Sequence, residues 1–127
     1  MGVLTLSTHR ALELPVGLAV ALVPLIAGAA AFGTVVCVVL GALIITLVLS
    51  TNREGYALAG AAHVAADRAL AAVLAGAAVV LAVLGQGLPA GLCAGGAIAQ
   101  ALLTLTTSYA ERPGRDDETR ATTITAG

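Results

Sequence analysis

The sequence of 127 residues has no lysine and no tryptophan, and aromatic residues make up only 2% of it. Proteins that bind nucleic acids use basic patches and aromatic side chains, which contact phosphates and stack on bases. Neither feature is present here, and the net charge is −1. We therefore expect no nucleic-acid partner.

Charged side chains are also scarce, at 10% of the residues against 59% for hydrophobic ones. A soluble domain of this size needs many more charges to cover its surface. Residues 14–52 and 69–110 contain no charge at all. One membrane crossing takes about 20 helical residues, so each uncharged run has room for two crossings and a turn. The sequence thus predicts an all-α integral membrane protein, a four-helix bundle built from two tandem helical hairpins.

Small residues and proline mark the expected helix ends. Residues 28–33 and 86–89 have turn composition, with glycine and proline interrupting the apolar pattern. We predict a transmembrane domain over 11–108, with helices at 11–29, 32–50, 69–85 and 90–108. Residues 1–10 are expected to form a short cytoplasmic N-terminus. Residues 109–127, with an acidic run after Pro113 and Gly114, are expected to form a disordered cytoplasmic tail.

The arginines predict the orientation. All six fall in segments that share one side of a four-helix topology: Arg10, Arg53, Arg68, Arg112, Arg115 and Arg120. The positive-inside rule then places both termini in the cytoplasm and the helices in the cell membrane, surrounded by lipid. Arginine without lysine, together with abundant Ala, Gly, Val and Leu, favours a bacterial origin. One alternative is a cleaved secretory signal over residues 1–29, against which the charge of Glu13 argues.

The two uncharged runs resemble copies of one unit. Arg10-Ala11-Leu12 opens the first, and Arg68-Ala69-Leu70 opens the second. Each histidine is followed four residues later by an acid, as His9/Glu13 and His63/Asp67. Aligning the two halves on Arg-Ala-Leu or on His-x3-acid gives two registers that differ by one helical turn. We prefer the histidine register because histidine is the rarer residue. Since each copy supplies two crossings, the repeat is parallel, with a pseudo-twofold axis along the membrane normal.

The pattern as a whole resembles the SPW-repeat family. It has a His-x3-acid opening, a proline near the far end of the next helix at Val23-Pro24-Leu25, and a Thr-Asn-Arg exit at residues 51–53. The Ser-Pro-Trp signature of the family is Val-Pro-Leu here. The resemblance covers roughly residues 9–108. It implies a small four-helix bacterial membrane protein, and it implies no established activity.

The two His/acid pairs are the candidate metal ligands. Residues at i and i+4 share a helix face, so His9, Glu13, His63 and Asp67 would converge if the first and third helices packed side by side. Imidazoles and carboxylates bind zinc and similar divalent ions, and helical bundles build such sites. Two alternatives stay open. The side chains could lie at the water interface, where they hydrogen-bond each other or pair with Arg10 and Arg68 and mark the helix starts. Alternatively, the histidines could bind a haem.

Small residues spaced four apart predict close helix packing in lipid. The second helix has one such stripe and the fourth has another, and we expect both to pack the two halves together, with homodimerisation through one stripe as the alternative. Gln100, near the centre of the fourth helix, is expected to form an interhelical hydrogen bond. The predicted packing residues are Gly33, Cys37, Gly41, Gly91, Gly95, Ala99 and Gln100.

Three classes of function follow. The first expectation is a non-enzymatic accessory or interaction component, with no catalytic residues and no cofactor, in a homodimer or a larger membrane complex. The second is a protein that binds a divalent metal, or a haem, through the His/acid pairs. The third is a small transporter or channel that uses Glu13.

Overall fold

The computed structural model describes residues 6–50 and 60–107. The described residues form four α-helices: α1 Leu6–Ile26, α2 Ala31–Ser50, α3 Gly60–Val83 and α4 Gly87–Thr106. This confirms the all-α four-helix bundle. The predictions for residues 1–5, for the Thr-Asn-Arg exit at 51–53 and for the tail at 109–127 lie outside the described residues.

Each of the four helices is long and apolar enough to cross a membrane. Large apolar side chains cover the outer surface, among them Ile26, Val83 and Leu105. Such a surface is stable in lipid and is rare on soluble proteins. The protein is therefore a multi-pass membrane protein.

The two hairpins close with the same turn. Gly28 follows α1 at φ 65° and Gly85 follows α3 at φ 74°, a left-handed conformation that favours glycine. The next amide in each turn reaches back to the helix, from Ala29 to the Pro24 carbonyl and from Gln86 to the Leu81 carbonyl, both at 2.9 Å. This is the Schellman arrangement, in which the glycine and the residue after it bind the last helix carbonyls.

Two helices begin earlier than the charge pattern indicates. The prediction started the first helix at residue 11 and the third at 69, whereas α1 begins at Leu6 and α3 at Gly60. The reason is that the helices continue through the polar residues His9 and Asp67, whose side chains point into the bundle. The absence of charge marks where the apolar surface begins, and that point lies inside the helix. The fourth helix also begins earlier than predicted, at Gly87 rather than at residue 90, so Pro89 belongs to its first turn.

Within each hairpin the helices pack closely, α1 against α2 and α3 against α4, and the hairpins meet mainly through α1 and α4. Helices α1 and α3 lie across the bundle from each other, and no Cα pair between them is within 8 Å among the described residues. The side-by-side arrangement considered for the first and third helices is therefore wrong. Apolar side chains fill the centre of the bundle: Val20, Leu40, Ile44, Leu70, Leu74 and Leu81.

The small-residue stripe of α2 packs in two directions. A Cβ on Gly41 would lie 2.6 Å from the Gly17 carbonyl oxygen of α1, so Gly41 serves packing inside the first hairpin. A Cβ on Gly33 would lie 2.7 Å from the Pro89 ring of α4, and Cys37 contacts Cys93 of α4. Only part of the stripe therefore joins the two halves.

The stripe predicted on α4 does not pack the halves together. Gly91 and Gly95 are exposed on the outer surface, where an added Cβ would meet nothing within 4 Å. Ala99 is half-buried. The neighbouring Gly96 contacts the first hairpin, since its Cβ would lie 3.3 Å from Val20 of α1. The α4 helix is thus rotated by one residue from the predicted face.

Candidate metal centre

All four predicted metal-ligating residues meet in one cluster, which we call the polar centre: His9, Glu13, His63 and Asp67. His9 and Glu13 are the fourth and eighth residues of α1, and His63 and Asp67 are the fourth and eighth of α3. Each pair therefore lies on one helix face, one turn apart. The His9 and Asp67 side chains meet across the gap between α1 and α3, whose backbones do not touch.

Burial excludes the alternative in which these side chains lie in water. Glu13, Asp67 and His9 have 0% exposure and His63 has 3%. Arg68, beside Asp67, is exposed instead. The location at the water interface is therefore wrong for the four side chains of the polar centre, whereas the pairing of histidine with acid is present, with His9 3.4 Å from both Glu13 and Asp67.

The separations fit a shared metal ion. Nε2 of His9 lies 3.4 Å from Glu13 Oε1 and 3.4 Å from Asp67 Oδ2, and Nε2 of His63 also lies 3.4 Å from Asp67 Oδ2. Charge-assisted hydrogen bonds are shorter, about 2.7–2.9 Å. Two ligands bound to zinc at about 2.0–2.1 Å and at the tetrahedral angle are about 3.3–3.4 Å apart. One donor atom from each of the four residues lies within 4.8 Å of the others, so a small inward movement closes the set.

The end of α4 orients His9. The Thr107 hydroxyl donates to the Leu103 carbonyl at 2.6 Å, and His9 Nδ1 lies 2.6 Å from that hydroxyl oxygen and 3.2 Å from the same carbonyl. This network assigns the proton of a neutral His9 to Nδ1, which then donates to Thr107. The Nε2 lone pair is left directed at the carboxylates. Metal-binding histidines are commonly held in this way, by a hydrogen bond at the nitrogen that does not bind the metal.

Thr107 was not predicted as part of the site. It is one of several threonines near the end of α4, and its neighbour Thr106 bonds only to its own helix, at the Leu102 and Leu103 carbonyls. No local pattern distinguishes the two residues. Only the rotation of α4 about its axis distinguishes the two residues, because it buries Thr107.

The buried Gln100 amide, with 0% exposure, makes no hydrogen bond within residues 6–50 and 60–107. The predicted interhelical hydrogen bond of Gln100 is therefore not made among the described residues. Gln100 lies on the same α4 face as Leu103 and Thr107, two turns below Thr107 and deeper in the bundle.

Electrostatics favours a cation in the polar centre. Removing a carboxylate from water costs several kcal/mol, and the cost is compensated only by a partner charge and good hydrogen bonds. Two carboxylates carry a charge of −2, which protonated imidazoles can balance, or which one divalent ion bound by neutral imidazoles cancels. The arrangement can therefore hold such an ion as an electrically neutral complex inside the bundle.

No protein-family model, no curated protein and no solved structure matches the chain.

Proposed function

We propose that this membrane protein binds one divalent transition-metal ion in the polar centre, with zinc as the best fit. The supporting observation is the meeting of four fully buried nitrogen and oxygen donors, with separations near those of a tetrahedral zinc site. Calcium and magnesium prefer all-oxygen ligand sets. Two imidazoles therefore favour zinc, or a neighbouring transition metal, over these ions.

The ion would have a structural role. Four protein donors fill a tetrahedral coordination shell, whereas catalytic zinc keeps one position for water or substrate. Two of the donors belong to the first hairpin and two to the second, so one ion would join the hairpins. This agrees with the expectation of a non-enzymatic accessory protein.

A structural ion is favoured over the haem and transport alternatives. The rings of His9 and His63 are 5.9 Å apart at 66° to each other, and both carboxylates lie close to them, which leaves no flat space for a porphyrin. Deeper in the bundle, Ile44 and Leu74 have 0% exposure and close the axis. An ion held in the polar centre therefore has no polar path through the described core.

We also propose that the two hairpins are copies of one unit, as in the SPW-repeat resemblance. The equal helix positions of the two His/acid pairs support the histidine register over the Arg-Ala-Leu register. Arg10 and Arg68 lie at the end of the bundle that holds the polar centre, which supports a cytoplasmic location for that end. A bacterial cell membrane is the compartment we expect.

Metal analysis of the purified protein tests the proposal. The parent, purified in detergent micelles from zinc-supplemented cells, should retain a zinc ion that is lost from the His9→Ala and His63→Ala variants. The matched control is Arg68→Gln, which removes a charge next to Asp67 without removing a donor, and it should retain the ion. Equal metal content in the parent and in both histidine variants would contradict the proposal.

A further inference from the structure

A second group of donors lies away from the polar centre. The Sγ atoms of Cys37 and Cys93 are 3.7 Å apart, and both residues have 0% exposure. Cys37 is the seventh residue of α2 and Cys93 is the seventh residue of α4. As in the polar centre, equal positions of equivalent helices meet between the two hairpins.

This distance suits a shared ion. Two sulfur atoms bound to zinc at about 2.3 Å and at the tetrahedral angle lie about 3.8 Å apart. The distance of 3.7 Å is also a normal contact between two reduced thiols, so an ion can enter with little movement of either sulfur. A disulfide, in contrast, needs the sulfurs to approach to about 2.05 Å.

Charge and softness select the class of ion. Two thiolates carry a charge of −2, so a divalent ion gives a neutral complex, whereas a monovalent ion leaves a buried net charge, which is costly in an apolar environment. Thiolates favour soft or borderline metals such as zinc and cadmium over calcium and magnesium. Binding releases two protons to water, one from each thiol, as each sulfur forms a bond to the metal.

Oxygen donors lie beside the thiols. The Cys37 thiol donates to the Pro89 carbonyl at 3.7 Å. The Gln86 Oε1 atom is buried without a hydrogen-bond partner in the described part of the chain, and it occupies the space beside Gly33, one turn before Cys37. Because residue 33 has no side chain, the start of α4 can approach α2 closely, and the Pro89 carbonyl lies beside the Cys37 sulfur.

We propose that Cys37 and Cys93 bind a divalent thiophilic metal ion, as a second site separate from the polar centre. Cys93 and Leu103, whose carbonyl contacts His9, are ten residues apart on α4, and ten residues of helix span about 15 Å. The buried side chains of Ile44 and Leu74 belong to the apolar core of the bundle. This second site does not rest on the proposed function, and either can fail without the other.

Cobalt(II), a coloured substitute for zinc, tests the second site. The full-length protein in micelles, with both thiols reduced as verified by thiol titration after unfolding, is titrated with cobalt(II) without oxygen. Thiolate ligands give an intense charge-transfer band in the near ultraviolet, and imidazole and carboxylate ligands do not. We expect this band in the parent and its loss in Cys37→Ser and in Cys93→Ser.

The Arg68→Gln variant is the matched control, and it should keep the charge-transfer band because it removes neither a sulfur nor another metal donor. The parent spectrum alone decides the question even if a cysteine variant does not fold. Absence of the band from reduced parent protein would overturn the second site. So would a band that persists in folded cysteine variants, or a Cys37–Cys93 disulfide in protein purified without oxygen.

Discussion

The two groups of buried donors join the same two hairpins in different ways. In the polar centre, the side chains of His9 and Asp67 meet across a gap between α1 and α3, whose Cα atoms stay more than 8 Å apart among the described residues. In the thiol pair, the short side chains of Cys37 and Cys93 suffice because α2 and α4 approach more closely. The polar centre thus spans a wider separation between helices than the thiol pair does.

The largest predicted effect separates donors from neighbours at the polar centre. Glu13→Gln and Asp67→Asn keep the side-chain shape but remove a negative charge and weaken a ligand. We expect zinc affinity to fall by more than the roughly 10–100-fold found when a hydrogen-bond partner of a metal ligand is replaced. Competition with a coloured chelator measures the affinity, and Arg68→Gln, which touches no donor, should bind like the parent. If all three variants bind alike, these carboxylates are not ligands.

A smaller effect is expected for the hydrogen bond that orients His9. Thr107→Val removes the hydroxyl that contacts Nδ1 at 2.6 Å, with little change in shape. Loss of such a partner lowers metal affinity by about 10–100-fold. Thr106→Val is the matched control, because the Thr106 hydroxyl bonds only to carbonyls of its own helix. An equal effect of the two substitutions would show that the Thr107 contact does not matter.

The next prediction concerns the contact between α2 and α4 near the thiols. A Cβ at residue 33 would overlap Gln86 Oε1 and lie 2.7 Å from Pro89 Cγ, so Gly33→Ala should destabilise the fold by about 1–3 kcal/mol through overpacking. Gly91→Ala is the control, since its Cβ meets nothing within 4 Å. Unfolding in micelles measures both, and zinc affinity at the distant polar centre should not change in either variant. Equal stability of the two variants would contradict the packing described.

The smallest effect concerns Gln100, on the boundary between the polar centre and the apolar core. Its buried amide makes no hydrogen bond within the described residues, and a buried amide without partners costs about 1–3 kcal/mol. Gln100→Met keeps the length and removes the amide, so we expect unfolding stability to rise by about 1 kcal/mol with zinc affinity unchanged. A loss of zinc affinity would instead assign Gln100 to the metal centre.

Much of the architecture follows from the sequence, because uncharged runs of this length leave room for only one arrangement of crossings. The polar centre also follows in part, since the His-x3-acid spacing puts each pair on one helix face. The rotation of each helix about its axis does not follow. Helices that are apolar on all sides carry little contrast between faces, so the small-residue spacing predicts an inward position for Gly91 and Gly95, which face outward.

The same lack of contrast between helix faces explains why two contacts could not be predicted from the sequence. Cys37 and Cys93 were assigned only to packing, because their sequence separation gives no metal-ligand spacing. The Thr107 contact with His9 depends on how far α4 extends and on how it is rotated, which neither composition nor spacing encodes. Such contacts between residues that are distant in sequence can be identified only in the assembled bundle.

The most direct test of the metal centre is the difference in zinc stoichiometry between the parent and His63→Ala, measured by calorimetric titration in micelles. Because the difference counts only ions that depend on His63, it is independent of any ion bound by the cysteines. The account predicts that the parent binds one more zinc ion per chain than the variant. Equal stoichiometry and equal affinity in the two proteins would contradict it.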